Sequence, residues 1–338
     1  MHIVLYHDAL IPPPKYGGTE RIVYWLAKAL LQLGHQVTLI ARPGSAIEGA
    51  TVIALENGDS VPGGWEALIP ADADIVHLWG TPATPPKKPF LVTIQGNGRP
   101  GERFHPNTVF ISRKHAENHG ATHFVYNGID PDEYPCDPAG SRENALVFLA
   151  KASWKVKNLV GAIEIARAAN RPLYVMGSRD WPKGLHRFLP AFGGIRYLGM
   201  VGDAEKRSYL RKASALLFPV RWPEPFGIAI TEALASGCAV FGTPYGSLPE
   251  IVTPDVGALS HEASVLLERL MNGNYSPETC RKRVFQGFTH IAMAESYLKL
   301  YRNVLDRGSL GENPKTPQPE ARFQESAETL LPWKGLRS

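Results

Sequence analysis

"WPEPFGIAITEALASGCAVFGTPYGSLPE", residues 222–250, decides how the second half of the chain folds. "FGIAITEALASG" reads as a helix beginning near Phe226. "CAVFGTP" follows as a short apolar strand, and "ALLFPV" precedes the stretch as another. Strand, loop, helix and strand in that order make a parallel β-α-β unit. Two glutamates, Glu224 and Glu232, stand in this otherwise apolar, glycine and proline run. A buried carboxylate is costly unless something pairs with it.

The same alternation extends outward. "ALVFLA", "RPLYVMGS" and "IRYLGMV" read as strands, and "KNLVGAIEIARAAN" and "DAEKRSYLRKAS" as helices. In the first half, "HIVLYHDAL" is a strand, "IPPPKYGG" breaks it, and "TERIVYWLAKALLQLG" has helical spacing, with Thr19 as N-cap and Gly34 as stop. Strands follow at "HQVTLIA", "ADIVHLWG", "PFLVTIQG", "TVFIS" and "THFVYNG", with a helix at "RKHAENHG". Residues 129–144, rich in Pro, Asp and Gly, read as a linker. The expected architecture is α/β, with two Rossmann-like, doubly wound parallel-sheet domains facing a central cleft. Residues 1–135 form the first domain and 136–290 the second. An amphipathic helix spans 291–307, and a polar, proline-containing tail fills 308–338, in which "LLPW" is a candidate docking segment.

With 338 residues and 44% hydrophobic content, the chain is long enough for two cores. A net charge of +4, with no stretch mixing dense Lys/Arg and aromatics, argues against nucleic acid. Lys15, Lys87 and Lys88 leave room for contact with an anionic membrane face. Cys136, Cys238 and Cys280 are sparse and form no CxxC, as expected of a reducing, cytoplasmic setting. The N-terminus has no signal-peptide pattern and no run is long enough to span a membrane.

"GNGRPG", residues 96–101, matches a dinucleotide fingerprint after a strand, but only "ERFHPN" separates it from the next strand, with no room for the required helix. "KYGGTE", 15–20, is better placed. Gly17 and Gly18 stand between a strand and a helix, where backbone can approach an anion or simply turn.

The helix expected from about Phe226 offers the N–H groups of Phe226, Gly227 and Ile228 to an anion. Glu232 lies roughly 7–8 Å along it, about the span from a diphosphate to ribose hydroxyls. Glu224, fixed between Pro223 and Pro225, can accept hydroxyls from a sugar. The plain alternative makes Glu232 a solvated helix residue and Glu224 a loop charge. Lys151, Lys155 and Lys157 precede or open another helix, where cations are unfavourable without an anion among them.

E-P-F-G-x-x-x-x-E at 224–232, "EALASGCAVFGTPYGSLPEIV", "YGGTE" and "VYNGID" together resemble the GT4 family of retaining glycosyltransferases, which have the GT-B fold. The resemblance covers about residues 1–307. It implies transfer of a hexose-type sugar from a nucleotide diphosphate sugar, UDP favoured, to a glycan, lipid-linked or small-molecule acceptor. Attack would come on the front face, and no metal or other cofactor would be needed. It assigns the donor sugar to Glu224, ribose to Glu232, sugar and phosphates to Phe226, Gly227 and Ile228, and the diphosphate to Lys151 and Lys157. Gly17 and Gly18 would approach donor phosphates, Gly177 and Met200 would border the base, and helix 291–307 would return to the first domain. Three positions depart from the family pattern. Lys151 and Lys157 are one residue further apart than usual, so Lys155 is a further candidate. Gln95 replaces a sugar-contacting histidine, while His77 is family-like, with a structural role as its alternative. Ser247 replaces a common glycine.

His115, Glu117, His119 and His123 cluster without H-E-x-x-H, and a surface helix explains them more simply than a metal. Three rival functions share the motif. A glycosidase would use Glu224 and Glu232 as its carboxylate pair. The others are a non-catalytic nucleotide or glycan binder and a sugar-nucleotide epimerase.

Overall fold

The computed structural model describes residues 1–15, 17–55, 64–98, 102–136, 142–177, 194–315 and 330–336. Two compact units divide the chain. The first holds Met1–Pro13, Gly17–Asp130 and the segment from Gly287; the second is built on Pro131–Gln286 and the C-terminal segment.

In the first unit β1 (His2–His7), α1 (Gly18–Gln32), β2 (Gln36–Ala41), β3 (Thr51–Ala54), β4 (Ile75–Leu78), β5 (Phe90–Thr93), β6 (Thr108–Val109) and α2 (Arg113–Asn118) follow one another. The strands form one parallel sheet in the order β3-β2-β1-β4-β5-β6. Their apolar runs are continuous rather than alternating, as a sheet covered on both faces requires. Val4, Ile40, Val76, Val92 and Phe110 form part of its core.

The second unit repeats the plan with β7 (Leu146–Leu149), α3 (Leu159–Ala168), β8 (Leu173–Met176), β9 (Ile195–Gly199), α4 (Asp203–Lys212), β10 (Ala215–Phe218), α5 (Ile228–Ala235), β11 (Ala239–Gly242), α6 (Leu248–Ile251), β12 (Gly257–Leu259), α7 (Ala263–Asn272) and α8 (Pro277–Phe285). Its parallel order is β12-β11-β10-β7-β8-β9. The chain leaves β7 toward β8 and β9, then returns to β10 on the other side of β7. That reversal is the topological switch point where open α/β sheets bind ligands. The final helix, α9 (His290–Arg307), packs on α1 in the first unit, where His290 Nε2 lies 2.9 Å from Gln32 Oε1.

Several local expectations change. "THFVYNG" is no strand: Phe124 makes a single bridge to Phe110, and the Glu312 carboxylate takes up the Thr122 amide and His123 Nδ1 beside it. Helix α1 starts at Gly18 behind Gly17, not at a Thr19 cap. Helix α5 starts at Ile228, because Gly227 has φ +82 and lies outside the helical region. Strands β3 and β12 are short edge elements that the apolar pattern does not announce. The stretch read as a linker packs: Tyr134 is fully buried, while 137–141 lie outside the described residues. Of the tail, "LLPW" does dock, with the Leu331 amide bonded to the Arg221 carbonyl at 2.9 Å; residues 316–329 lie outside the described ones. Among the described residues, no helix is long and apolar enough to cross a membrane. Lys88, offered above to a membrane, donates instead to the Ala71 and Ala73 carbonyls.

Candidate functional site

In the second unit the candidate residues gather at the carboxyl ends of the strands. Lys151 follows β7, Gly177 follows β8, Met200 follows β9, and Trp222 to Phe226 follow β10. The loops after β7 and β10 meet at the switch point.

The two glutamates hold lysines. Glu224 Oε2 accepts from Lys157 Nζ at 2.5 Å and from the Trp222 indole N–H at 2.6 Å. Glu232 Oε1 accepts from Lys206 Nζ at 2.5 Å and from the Tyr134 hydroxyl at 2.6 Å. Each carboxylate thus carries one ammonium and one aromatic donor. Exposure is 7% for Glu224, 4% for Glu232, 9% for Lys157 and 5% for Lys206, so neither glutamate is a solvated surface charge. At such burial a lone charge is expensive, and pairing resolves it. Lys206 also reaches Asp203 Oδ1 at 3.0 Å.

Local folding explains the placements. Lys155–Lys157 form one 3₁₀ turn, closed by Asn158 in the left-handed region, whose side chain caps α3 at the Gly161 amide. The turn buries Lys157 and leaves Lys151 and Lys155 exposed. Among the three lysines, therefore, Lys157 faces Glu224. Its ammonium also lies 4.4 Å from the Trp222 ring centre, and that of Lys151 lies 4.5 Å from Trp154. Trp154 and Trp222 meet edge to face at 6.1 Å.

The mouth of α5 has no side-chain cap. Its available N–H groups shift from those expected: the helix begins at Ile228, and the Ile230 amide already bonds to the Gly227 carbonyl. Phe226 is buried and its carbonyl accepts the Ser247 hydroxyl at 2.7 Å, while the Ser247 amide holds the Glu224 carbonyl at 2.9 Å. Ser247 is thus a brace for the 224–226 loop, more than a tolerated substitute for glycine. Gly246, at φ +61, lies so close that a Cβ would overlap the Glu224 backbone. Gly246→Ala is expected to cost about 1–2 kcal/mol from the left-handed backbone alone, more from the overlap with the Glu224 backbone, and to displace Glu224. A thermal melt showing wild-type stability would refute this.

Gly177, at φ +93, has its amide on the Gly199 carbonyl at 2.8 Å, and a Cβ there would strike the Ala150 carbonyl. It allows β8 to pass close beside the loop that bears Lys151.

The first-unit residues serve different ends. Gly17 has Pro13 and the Glu20 carboxylate where a side chain would be. Pro13 and Glu20 leave no space for a side chain at Gly17, so the tight turn between β1 and α1 needs glycine there. Gln95 and Asn127 exchange amide bonds, Nε2 to Oδ1 at 3.1 Å and Nδ2 to Oε1 at 2.8 Å, so both polar ends of Gln95 are engaged. His77 is 0% exposed. Its Nδ1 lies 2.7 Å from the Tyr301 hydroxyl, and its Nε2 lies 2.7 Å from Thr93 Oγ1, which meets Tyr297 at 2.9 Å. Both ring nitrogens are engaged and the ring is closed to solvent, which favours the structural role given above as the alternative for His77.

Burial pulls the His77 pKa down to about 3. The unfolded chain binds a proton near pH 6.5 that the folded chain refuses until about pH 3. Stability from this group is complete above pH 6.5 and falls as pH drops below it, by about 1.4 kcal/mol per pH unit. Burial also lowers His115, which adds to the same trend. Urea titrations from pH 7.5 to 5 should show a shallower loss in His77→Gln than in the wild type; equal slopes would refute the assignment.

Helix α2 lies at the surface with Arg113, Lys114 and Glu117 exposed, and turns His115 and Ala116 inward. His115 Nε2 lies 2.9 Å from the Gly96 carbonyl, and His119 Nδ1 2.9 Å from the His115 carbonyl. These rings brace the start of the "GNGRPG" loop, of which residues 99–101 lie outside the described ones. Among the described residues no group of three or more His, Cys, Asp or Glu could hold a metal ion.

Lys206, Tyr134 and Trp222 complete the site and were not singled out from the sequence. Trp222 is adjacent in the quoted motif. Lys206 sits in a strongly charged helix, and Tyr134 in a stretch that reads as linker.

Residues 138–272 match the family model described as Glycosyl transferases group 1. Phosphatidyl-myo-inositol mannosyltransferase of Propionibacterium freudenreichii subsp. shermanii is 30% identical over 147 residues, covering 40% of this chain and 36% of that protein. The protein of that name from Mycolicibacterium smegmatis is 30% identical over 96 residues, covering 28% and 25%. The matches therefore span well under half the length of these curated relatives. Among solved structures, AviGT4, a glycosyltransferase involved in Avilamycin A biosynthesis, is similar with a TM-score of 0.75 and 27% identity, over 90% of this chain and 98% of that one. Sucrose-phosphate synthase of Thermosynechococcus elongatus shares the fold at TM-score 0.66 and 17% identity, over 90% and 99%. The chain is GT4-like with the GT-B fold, and its second unit carries the glycosyl transferases group 1 domain.

Proposed function

We propose that the chain is a retaining glycosyltransferase that moves a hexose-type sugar from a nucleotide diphosphate sugar, UDP favoured, to a glycan, lipid-linked or small-molecule hydroxyl. The observation that carries this reading is the pair of buried glutamate–lysine contacts, Glu224–Lys157 and Glu232–Lys206, flanking the uncapped start of α5. The diphosphate docks at that helix mouth, where dipole and lysine both favour negative charge. Glu232 receives the ribose hydroxyls and Glu224 the sugar. Lys157, with Lys151 from the loop edge, neutralises the charge that grows on the leaving group as its bond to the anomeric carbon breaks. The acceptor oxygen bonds to that carbon on the same face, and its proton passes to a departing phosphate oxygen. No metal takes part in this scheme, and Gly177 and Met200 border the base. A glycosidase would need both carboxyl groups open to one glycosidic bond, whereas each is here engaged by its own lysine.

A thermal-shift and turnover screen across UDP, GDP and ADP sugars tests the proposal. Glu232→Ala should raise the dissociation constant for the matching nucleotide by at least about tenfold, the loss expected of hydrogen bonds to a charged group. A screen with no shift and no donor hydrolysis would sink it. Lys15 and Lys87 carry the further suggestion of contact with an anionic membrane; a flotation assay that leaves the protein at the bottom removes it.

A further inference from the structure

We propose that residues 330–336 are a positioning strap for the Lys157–Glu224 pair, an inference that rests on the donor-site reading above. This segment is not a loose end. The Leu331 amide donates to the Arg221 carbonyl at 2.9 Å, and Arg221 Nε returns a bond to the Leu331 carbonyl at 2.7 Å. The Tyr245 hydroxyl donates to the Pro332 carbonyl at 2.6 Å. The Lys334 amide donates to the His261 carbonyl, and the Ala263 amide to the Lys334 carbonyl, both at 2.9 Å. The Leu336 amide donates to Glu164 Oε1 at 2.7 Å. Trp333 lies so close to Gly161 that a Cβ there would be 3.0 Å from Trp333 Cε2.

The grip falls on neighbours of the reacting groups. Arg221 precedes Trp222, which donates to Glu224, and the Arg221 amide also donates to the Val156 carbonyl at 2.7 Å, beside Lys157. Tyr245 precedes Gly246, which packs against the Glu224 backbone. Gly161 and Glu164 lie on α3, which follows directly from the lysine turn. One short segment therefore ties together the two loops that carry Arg221 and Tyr245 and the helix that follows the lysine turn, whose relative placement sets the Lys157–Glu224 contact. Reacting side chains carried on loops need such support, because a displacement of about 1 Å can cost up to ~100-fold in rate.

The test uses the full chain. Leu331→Pro removes the amide that bonds Arg221, Trp333→Ala removes the contact with Gly161, and Trp333→Phe keeps an aromatic ring. We expect Leu331→Pro and Trp333→Ala to lower donor turnover by about tenfold with KM for the donor changed far less, and Trp333→Phe to recover most of the rate. Amide exchange at residues 156–158 and at 221, 222 and 224 should quicken in the first two variants. Turnover at the wild-type level, or a lowered melting temperature with unchanged kcat, overturns the inference. Exchange is read without any substrate, so the two readings can fail separately. A wild type inactive on every nucleotide sugar sinks the transferase proposal, whereas unchanged exchange at 221, 222 and 224 sinks the strap.

Discussion

Lys206→Met should destabilise the protein by about 3–5 kcal/mol, the cost of leaving a buried carboxylate without its counter-charge. Lys206 Nζ is 2.5 Å from Glu232 Oε1, and both residues are nearly inaccessible. The Tyr134 hydroxyl, 2.6 Å from the same oxygen, stays as a neutral donor and cannot replace an ammonium. The control is the double variant Lys206→Met with Glu232→Gln. With no charge left to desolvate, it should regain most of the stability, because replacing both partners of a buried pair is far milder than removing one. Ligand binding should not follow stability. The double variant should fold and still bind nucleotide poorly, since the amide offers ribose one acceptor oxygen in place of two. Urea unfolding with titration of the matching nucleotide separates these outcomes. A single variant as stable as the wild type would show that water already serves Glu232.

The glutamates were legible because each stands in an apolar run, and burial of a charge forces a partner. Which partner was not legible. Tyr134 and Glu232 are 98 positions apart, and His77 and Tyr301 are 224 apart. Such pairings follow from the order of strands, not from any local pattern. Lys206 lies on a helix whose face reads as charged surface until α5 is laid beside it. The parallel sheets were largely legible, because strands such as "ALLF", buried throughout, and "HIVLYH", buried over its first four residues, are mainly apolar runs bounded by turns. The edge strands β3 and β12, four and three residues long, were too short and too partly covered to stand out. His77 was open to a ligand role because a histidine in a strand looks functional; Tyr297 and Tyr301, brought by α9, give it a structural one. The start of α5 was misplaced by two residues because a glycine's φ is invisible in sequence, although its position behind Pro225 and Phe226 marked the turn.

Lys157→Met should lower turnover by about 10²–10³-fold, the size of effect seen when a preorganised group facing developing charge is removed. This ammonium is held by Glu224 at 2.5 Å and lies over the Trp222 ring. A diphosphate at the α5 mouth would share it, and the share would grow as the sugar–phosphate bond breaks. The loss should therefore fall on kcat more than on KM. Glu224→Gln tests the other end of the pair. It leaves Lys157 buried among Phe218 and Trp222 without its carboxylate, so stability should fall even where nucleotide affinity is kept. A double-mutant cycle over the two positions is expected to be strongly non-additive, since each single change already breaks the same contact. If Lys157→Met turned over donor at the wild-type rate, the lysine would be a counter-ion for Glu224 and nothing more. The catalytic charge would then have to come from Lys151, which stands exposed at the end of β7 and is free of the constraint that buries its neighbour.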